Sequence, residues 1–562
     1  MAVGFVKKQL WGTFMFLPDG SWYTISLMLH YSFLQASAAR GAAMLLFLAA
    51  LAASTPGLRG EAPERVKLFV RETPLTVHGK ETTVTSIQQE DGTLGYFPEQ
   101  SEGFHVDVVN ELRVPTCLHW HGMILPNSMD GVPFVTQDPI PPGGSQAYNF
   151  PLQQSGTYWI HSHYGLQEQF LLAAPFVIWN DKERAKADKQ FVVMLSDFSF
   201  TPPAEILEKL IGSSGMKMKP GGMESKEPTA TDLKMGEGMK MEGMDKDSAK
   251  MPVIVQQWDE KTQRFIRAAV AGKPANADVH YDALLANRKT IDAPEILAVD
   301  PGDTVLLRLI GASCATNFFV DTGSLDAELL AVDGCAVKPL RGNFFQLAVA
   351  QRIDLRVTIP QEGGAFPVVA QGEGTELLAG VVLSTKGAEI PSLPKAAKMK
   401  TASLDNTQER LLVATQPLET KKTDRLHPAE FGGTMVGYTW TINGKAYPNR
   451  DALVVKNGER VEIVISNTTG MGHPVHKHDG FFQVVEIDGE PVSGACRDTV
   501  FVPPGSKMKI AFDANNPGIR AFHCHILYHS VRGMFTVVKY EDTPTPFWQP
   551  GEAPKMLKGL RN

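Results

Sequence analysis

Apolar and polar residues alternate with a period of two through much of this chain. Phe104 to Asn110, Thr157 to Ile160, Arg460 to Ser466 and Phe482 to Ile487 are short alternating runs separated by Gly and Pro turns. That pattern predicts β-strands of Greek-key sandwiches. VDPGDTVLLRLIGAS at 299–313 and QRIDLRVTIP at 351–360 repeat the same grammar in the middle of the chain. An internal repeat sharpens the picture. Pro142 precedes His161 by nineteen residues, as Pro504 precedes His523, and Gly156 and Gly518 each stand five residues before those histidines. The first and last parts are therefore copies of one β unit, with Ser162 in the place of Cys524.

Length and composition change this picture only a little. A chain of 562 residues with 50 Gly and 38 Pro has room for two to four domains. The net charge of −7 comes without a basic stripe, which argues against a nucleic-acid partner. Ala42 to Ala53 is a twelve-residue apolar run after Arg40, ending in small residues. It suits a secretory signal better than a membrane span. Residues 1–54 thus read as a targeting segment, the stretch before Ala42 as an overcalled start, with a signal anchor as the other reading.

The candidate chemistry lies in His523-Cys524-His525, followed by His529 and Met534. Side chains alternate along a strand, so His523 and His525 point one way and Cys524 the other. One strand can then touch two metal centres. A thiolate with imidazole and a distant thioether is the ligand set of a blue-copper site, which still requires a second imidazole. Three more His-x-His pairs stand at His119/His121, His161/His163 and His476/His478, the last preceded by His473; these clusters hold ten of the fifteen histidines. Zinc fits poorly, because its sites close with three or four protein ligands.

HWHG at 119–122, HSH at 161–163, HPVHKH at 473–478 and HCHILYHSVRGM at 523–534 resemble the four copper motifs of the multicopper oxidases. MDGVP at 129–133 and GTYWIHSHYGLQEQ at 156–169 are most similar to the periplasmic copper-resistance protein A type. The resemblance implies an all-β fold of three cupredoxin-like Greek-key β-sandwich domains, at 63–182, 189–390 and 403–545. The middle one carries no copper ligands and serves as a spacer with an insertion at 213–251. It also implies four copper ions. His473, Cys524, His529 and Met534 would hold the type 1 ion, and His119 and His476 the type 2 ion. His121, His161, His163, His478, His523 and His525 would hold the type 3 pair. The implied activity is one-electron oxidation of cuprous ion, and of small phenolic or aromatic amine reductants, coupled to reduction of dioxygen to water. The implied setting is copper tolerance in the periplasm, as a monomer supplied by a copper chaperone. The alternative is a non-catalytic copper-sequestering protein.

Three finer expectations follow. Water formation needs protons. Asp130 matches the family's acid near the type 2 ion, but Tyr528 stands where several relatives have a second acid, so Glu168 is expected to relay protons near the type 3 pair. Asp498 is expected behind His473, since metal-bound imidazoles usually donate their other N–H to an acceptor. Met216, Met218, Met223, Met235, Met239, Met241, Met244 and Met251 crowd into 36 residues, where proportional use of the chain's 21 methionines gives about 1.3. Thioethers select the soft cuprous ion, and a segment without aromatic residues cannot bury a core. It reads as a weak cuprous-ion collector. Among the cysteines, Cys314 and Cys335 fall in one domain and lead as a disulfide pair, ahead of Cys117 with Cys496.

Overall fold

The computed structural model describes residues 65–212 and 251–544, together with Met15–Phe16 and Trp22–Tyr23. The chain divides into two compact units, Met1–Glu64 and Arg65–Asn562. In the first, the two short strands Met15–Phe16 and Trp22–Tyr23 pair antiparallel. The targeting reading of 1–54 otherwise lies outside the described residues, as do Met216 to Met244. Among the described residues no helix is long and apolar enough to cross a membrane.

Among the described residues of the second unit strands far outnumber helices, and they fall into three runs, each with two sheets. Residues 66–178 make a four-stranded and a three-stranded sheet, 189–385 an eight-stranded and a five-stranded sheet, and 425–540 a seven-stranded and a five-stranded sheet. One pairing rule recurs in all three. The opening strand lies parallel to a later one, and that strand lies antiparallel to the next: Val66–Val77 with Phe104–Asn110 and then Ser145–Phe150. The middle run repeats it with Lys189–Phe198, Thr304–Gly311 and Arg352–Thr358. The last does so with Arg425–Thr434, Arg460–Asn467 and Lys507–Asp513. The all-β, three-sandwich expectation therefore holds, and the middle run is a third copy of the unit without the histidine pairs.

Burial follows the alternation. In Phe104–Asn110 every second side chain is buried, and Phe104 packs in a cluster with Trp120, Phe150 and Phe176. The strands that carry histidines are different: Leu118–His121, Gly156–Ser162, His473–Lys477 and Ile519–Cys524 are buried at every position. One face meets its own core and the other meets a neighbouring sandwich. Two motif glycines make that contact possible. Gly131 has φ +75° against the Leu118 carbonyl, and Gly122 has φ +87° against Asp498 and Arg352. A Cβ at either position would collide with those atoms.

The cysteine expectation needs correction. All five cysteines are free thiols, and Cys117, Cys314 and Cys524 are buried. Cys314 sits at a loop whose backbone N–H groups, its own included, donate to Asp197, while its carbonyl accepts from Leu527 N–H. Cys335 instead faces Cys496.

Candidate metal centre

The ladder register brings the histidines together. His119 lies opposite His161 across one sheet, and His476 opposite His523 across another. Ring nitrogens then gather in three groups from the two outer runs: His119, His121 and His476; His121, His161 and His525; and His163, His478 and His523. In each group the donor atoms lie within 4.8 Å of one another. His478 Nε2 and His523 Nε2 are 3.2 Å apart, and His161 Nε2 and His525 Nε2 are 3.4 Å apart. His121 stacks on His476 at 3.8 Å between ring centres, and Trp159 stacks on His161.

Most of these rings give one nitrogen to the protein and turn the other inward. His119 Nδ1 meets the Asp130 carbonyl at 2.7 Å, His476 Nδ1 the Asp498 carbonyl at 2.9 Å, and His523 Nδ1 the Cys524 carbonyl at 2.9 Å. His121 Nε2 meets Asp498 Oδ1 at 3.1 Å and His478 Nδ1 meets Asp130 Oδ2 at 3.1 Å. The opposite atoms His119 Nε2, His121 Nδ1 and His476 Nε2, and also His163 Nε2, are buried with no protein partner. Burial holds His121, His161, His163, His476, His478 and His525 well below the usual imidazole range, and His523 at about 4. Neutral rings with inward lone pairs and fixed outer N–H groups fit copper ions.

A fourth group lies on the other side of the same strand. Cys524 Sγ is 3.5 Å from His473 Nδ1 and 3.7 Å from His529 Nδ1, and those two nitrogens are 3.2 Å apart. Met534 is fully buried in the same core, its N–H bonded to the His529 carbonyl. Burial pushes the Cys524 thiol far up. A metal ion is what would hold it as thiolate.

Of the three acidic residues, Asp130 and Glu168 lie beside the expected rings and Asp498 does not. Asp130 lies between the outer runs, touching His119 and His478; burial would raise its carboxyl, but His119 and Arg520 outweigh that and hold it low. Glu168 Oε2 lies 3.2 Å from His161 Nδ1, and its Oε1 is buried without a partner. Burial and the nearby Asp197 push its carboxyl well up. Glu168 lines a cavity of about 120 Å³ with His161, His163, His523 and His525. Asp498 does not stand behind His473, whose Nε2 meets Thr469 Oγ1 at 2.8 Å. It serves His121, and its carboxylate takes a paired Arg352 guanidinium at 2.8 and 2.5 Å.

The middle run is more than a spacer. Besides Arg352 it supplies Asp278, whose Oδ2 meets His529 Nε2 at 2.7 Å and accepts from Tyr438 Oη at 2.6 Å. Neither residue has a motif. For Arg352 the available signal is polarity out of place, since it and Asp354 interrupt an apolar strand and are buried; Asp278, in a loop, offers none. Of the eight clustered methionines only Met251 is described, and it is exposed at the start of its strand.

Comparisons with known proteins agree with this geometry. Sequence models of the multicopper oxidases match residues 99–183, 250–387 and 419–544. The chain is 32% identical over 440 residues to the multicopper oxidase MmcO of Mycobacterium tuberculosis, covering 77% of this chain and 79% of that protein. It is 25% identical to copper resistance protein A of Escherichia coli, over 84% of this chain and 92% of that one. The crystal structure of Fet3p, described as a multicopper oxidase that functions in iron import, superimposes with a TM-score of 0.64 at 21% identity, covering 88% and 94% of the two chains.

Proposed function

The chain belongs to the multicopper oxidase family, and from that premise we propose that it oxidises cuprous ion, with dioxygen as acceptor, in copper tolerance. Copper in this family supplies one-electron oxidation of a donor at one site and four-electron reduction of dioxygen at three others. His473, Cys524, His529 and Met534 would hold the type 1 ion. His119 and His476 would hold the type 2 ion, with the groups His121/His161/His525 and His163/His478/His523 taking one type 3 ion each.

A single observation carries the reading: adjacent residues of one strand serve different ligand groups, Cys524 beside His473 and His529, and His523 beside His478. Their shared backbone is a covalent path for an electron between the two. Asp278 fixes the far nitrogen of His529 and keeps its near nitrogen toward Cys524. Asp130 orients one ring from each outer run, and Glu168 keeps a carboxyl oxygen free in the cavity beside four histidines, where it would hand protons to the reduced oxygen. Met534, buried in the same core, would add a thioether to that group, which would suit an easily oxidised donor.

The cuprous substrate is supported by the kinship with copper resistance proteins and by the methionine cluster; kinship also supports a periplasmic location. Copper-loaded protein should show an intense blue band and consume oxygen on adding cuprous ion. Deleting 216–251 should weaken cuprous turnover more than phenol turnover. A colourless, oxygen-inert but copper-rich protein would make it a sequestrant instead.

A further inference from the structure

Two thiols outside the copper groups meet where the middle run touches the last. Cys335 opens the strand Cys335–Gly342 just after the turn Asp333-Gly334, and Cys496 opens Cys496–Arg497; the two strands adjoin. Both residues are partly exposed, unlike the other three cysteines. Their thiols lie close enough to act on each other.

The surrounding backbone is pinned on both sides. Asp333 Oδ2 accepts from Arg497 Nε at 2.9 Å and from Thr499 N–H at 3.3 Å, and Oδ1 accepts from Arg352 N–H at 2.9 Å. Thr415 N–H donates to the Ala336 carbonyl at 3.1 Å, and Lys338 N–H to the Val413 carbonyl at 2.8 Å. Cys496 Sγ in turn reaches the Gln416 carbonyl at 3.6 Å. A buried ion pair thus holds the residue after Cys496 to the residue two before Cys335. The two cysteines are thereby held on neighbouring strands.

We propose that Cys335 and Cys496 form a disulfide that staples the middle run to the last when the protein meets a disulfide-bearing oxidant, such as oxidised glutathione or a thiol oxidase. The Cys496 thiolate attacks the oxidant's disulfide, a mixed disulfide forms on Cys496 and one thiol leaves. The Cys335 sulfur, its proton lost to solvent, then attacks Cys496 Sγ, the protein S–S bond forms and the second thiol leaves. The pair gives up two electrons and two protons, and the oxidant's disulfide becomes two thiols. The order of attack follows from the contact, because Cys335 lowers the Cys496 thiol. The bond would close the long loop from 335 to 496 and brace Asp498, two residues on, which carries His121.

The test uses the copper-loaded full chain, equilibrated in a glutathione redox buffer, denatured, alkylated and digested. The expected result is one cross-linked peptide pair joining Cys335 and Cys496, with Cys117 and Cys314 alkylated as free thiols. Cys335→Ser, Cys496→Ser and the double variant should then share one lowered thermal midpoint, a few degrees below wild type, since either change alone removes the same bond. Alkylation of both cysteines in the oxidised wild type would overturn the proposal, whether or not the variants fold. So would protection that a cuprous chelator abolishes and a phosphine reductant does not, which would mark the pair as a metal site.

Discussion

In the first outer unit Ser162 lies across the ladder from Leu118, and in the last Cys524 lies across from Val475. The backbone around the two is the same: Ser162 N–H bonds the Leu172 carbonyl as Cys524 N–H bonds that of Met534, and His163 N–H bonds Cys117 as His525 N–H bonds Pro474. By that register Thr116, Ser162, Gln167 and Leu172 stand where the last unit has His473, Cys524, His529 and Met534. Gln167 Oε1 accepts from Thr116 Oγ1 and from Ser162 Oγ, each at 2.8 Å. The first unit has therefore closed its equivalent site with a hydrogen-bonded trio and an apolar cap. The sandwich places four side chains, and their identity alone decides between a metal site and a satisfied polar core.

Several measurements would break or sharpen that comparison, beginning with the largest effect. Cys524→Ser makes the last unit resemble the first; the blue band and turnover should vanish while the three-ion site keeps its copper, read by metal analysis and absorption. Asp498→Asn strips charge from a buried pair with Arg352, and breaking such a pair costs about 3–5 kcal/mol. The same change should weaken copper at His121 by about 10–100-fold, with calorimetry and copper titration as the readouts.

Acid should act on both units alike. Folded His523 titrates at about 4, against 6.5 for an unperturbed ring, so between these values the unfolded chain binds protons that the folded chain does not. Stability of copper-free protein is then fully present above 6.5 and is lost as pH falls toward 4, by up to about 1.4 kcal/mol per pH unit for each such ring. Thermal melts across that window would show it, and a flat profile would refute the neutral, desolvated rings. Glu168→Gln should slow oxygen turnover more at high pH than at low, and unchanged turnover across pH, with Asp130→Asn slow, would remove Glu168 from the proton path. Ser162→Cys is the mildest change. It should add no blue band, because Thr116 and Gln167 offer no imidazole, and should cost about 1 kcal/mol for the lost hydrogen bonds.

The duplicated spacing and the His-x-His pairs make the outer units and their grouping legible in the sequence, because ligands on alternate strand positions leave a local signature. The contribution of the middle run leaves none. Asp278 and Arg352 each act as a single polar side chain, delivered by the docking of one sandwich on another; the oddity of charge inside an apolar strand hints at Arg352, and nothing in the sequence hints at Asp278, which lies in a loop. Asp498 was placeable as a ring acceptor but not with its proper ring. His473 and His121 lie on separate strands of different units, and proximity along the chain favours the wrong one. Cys335 and Cys496 are likewise joined by docking, far from each other in sequence.

Each of the three all-histidine groups takes rings from both ends of the chain, whereas the sulfur-containing group draws all its ligands from the last end. Colour and respiration are thus separable properties of this molecule. A nick or a folding fault that lets the ends drift apart would leave a pigment that still looks healthy to the eye and has lost the means to consume oxygen.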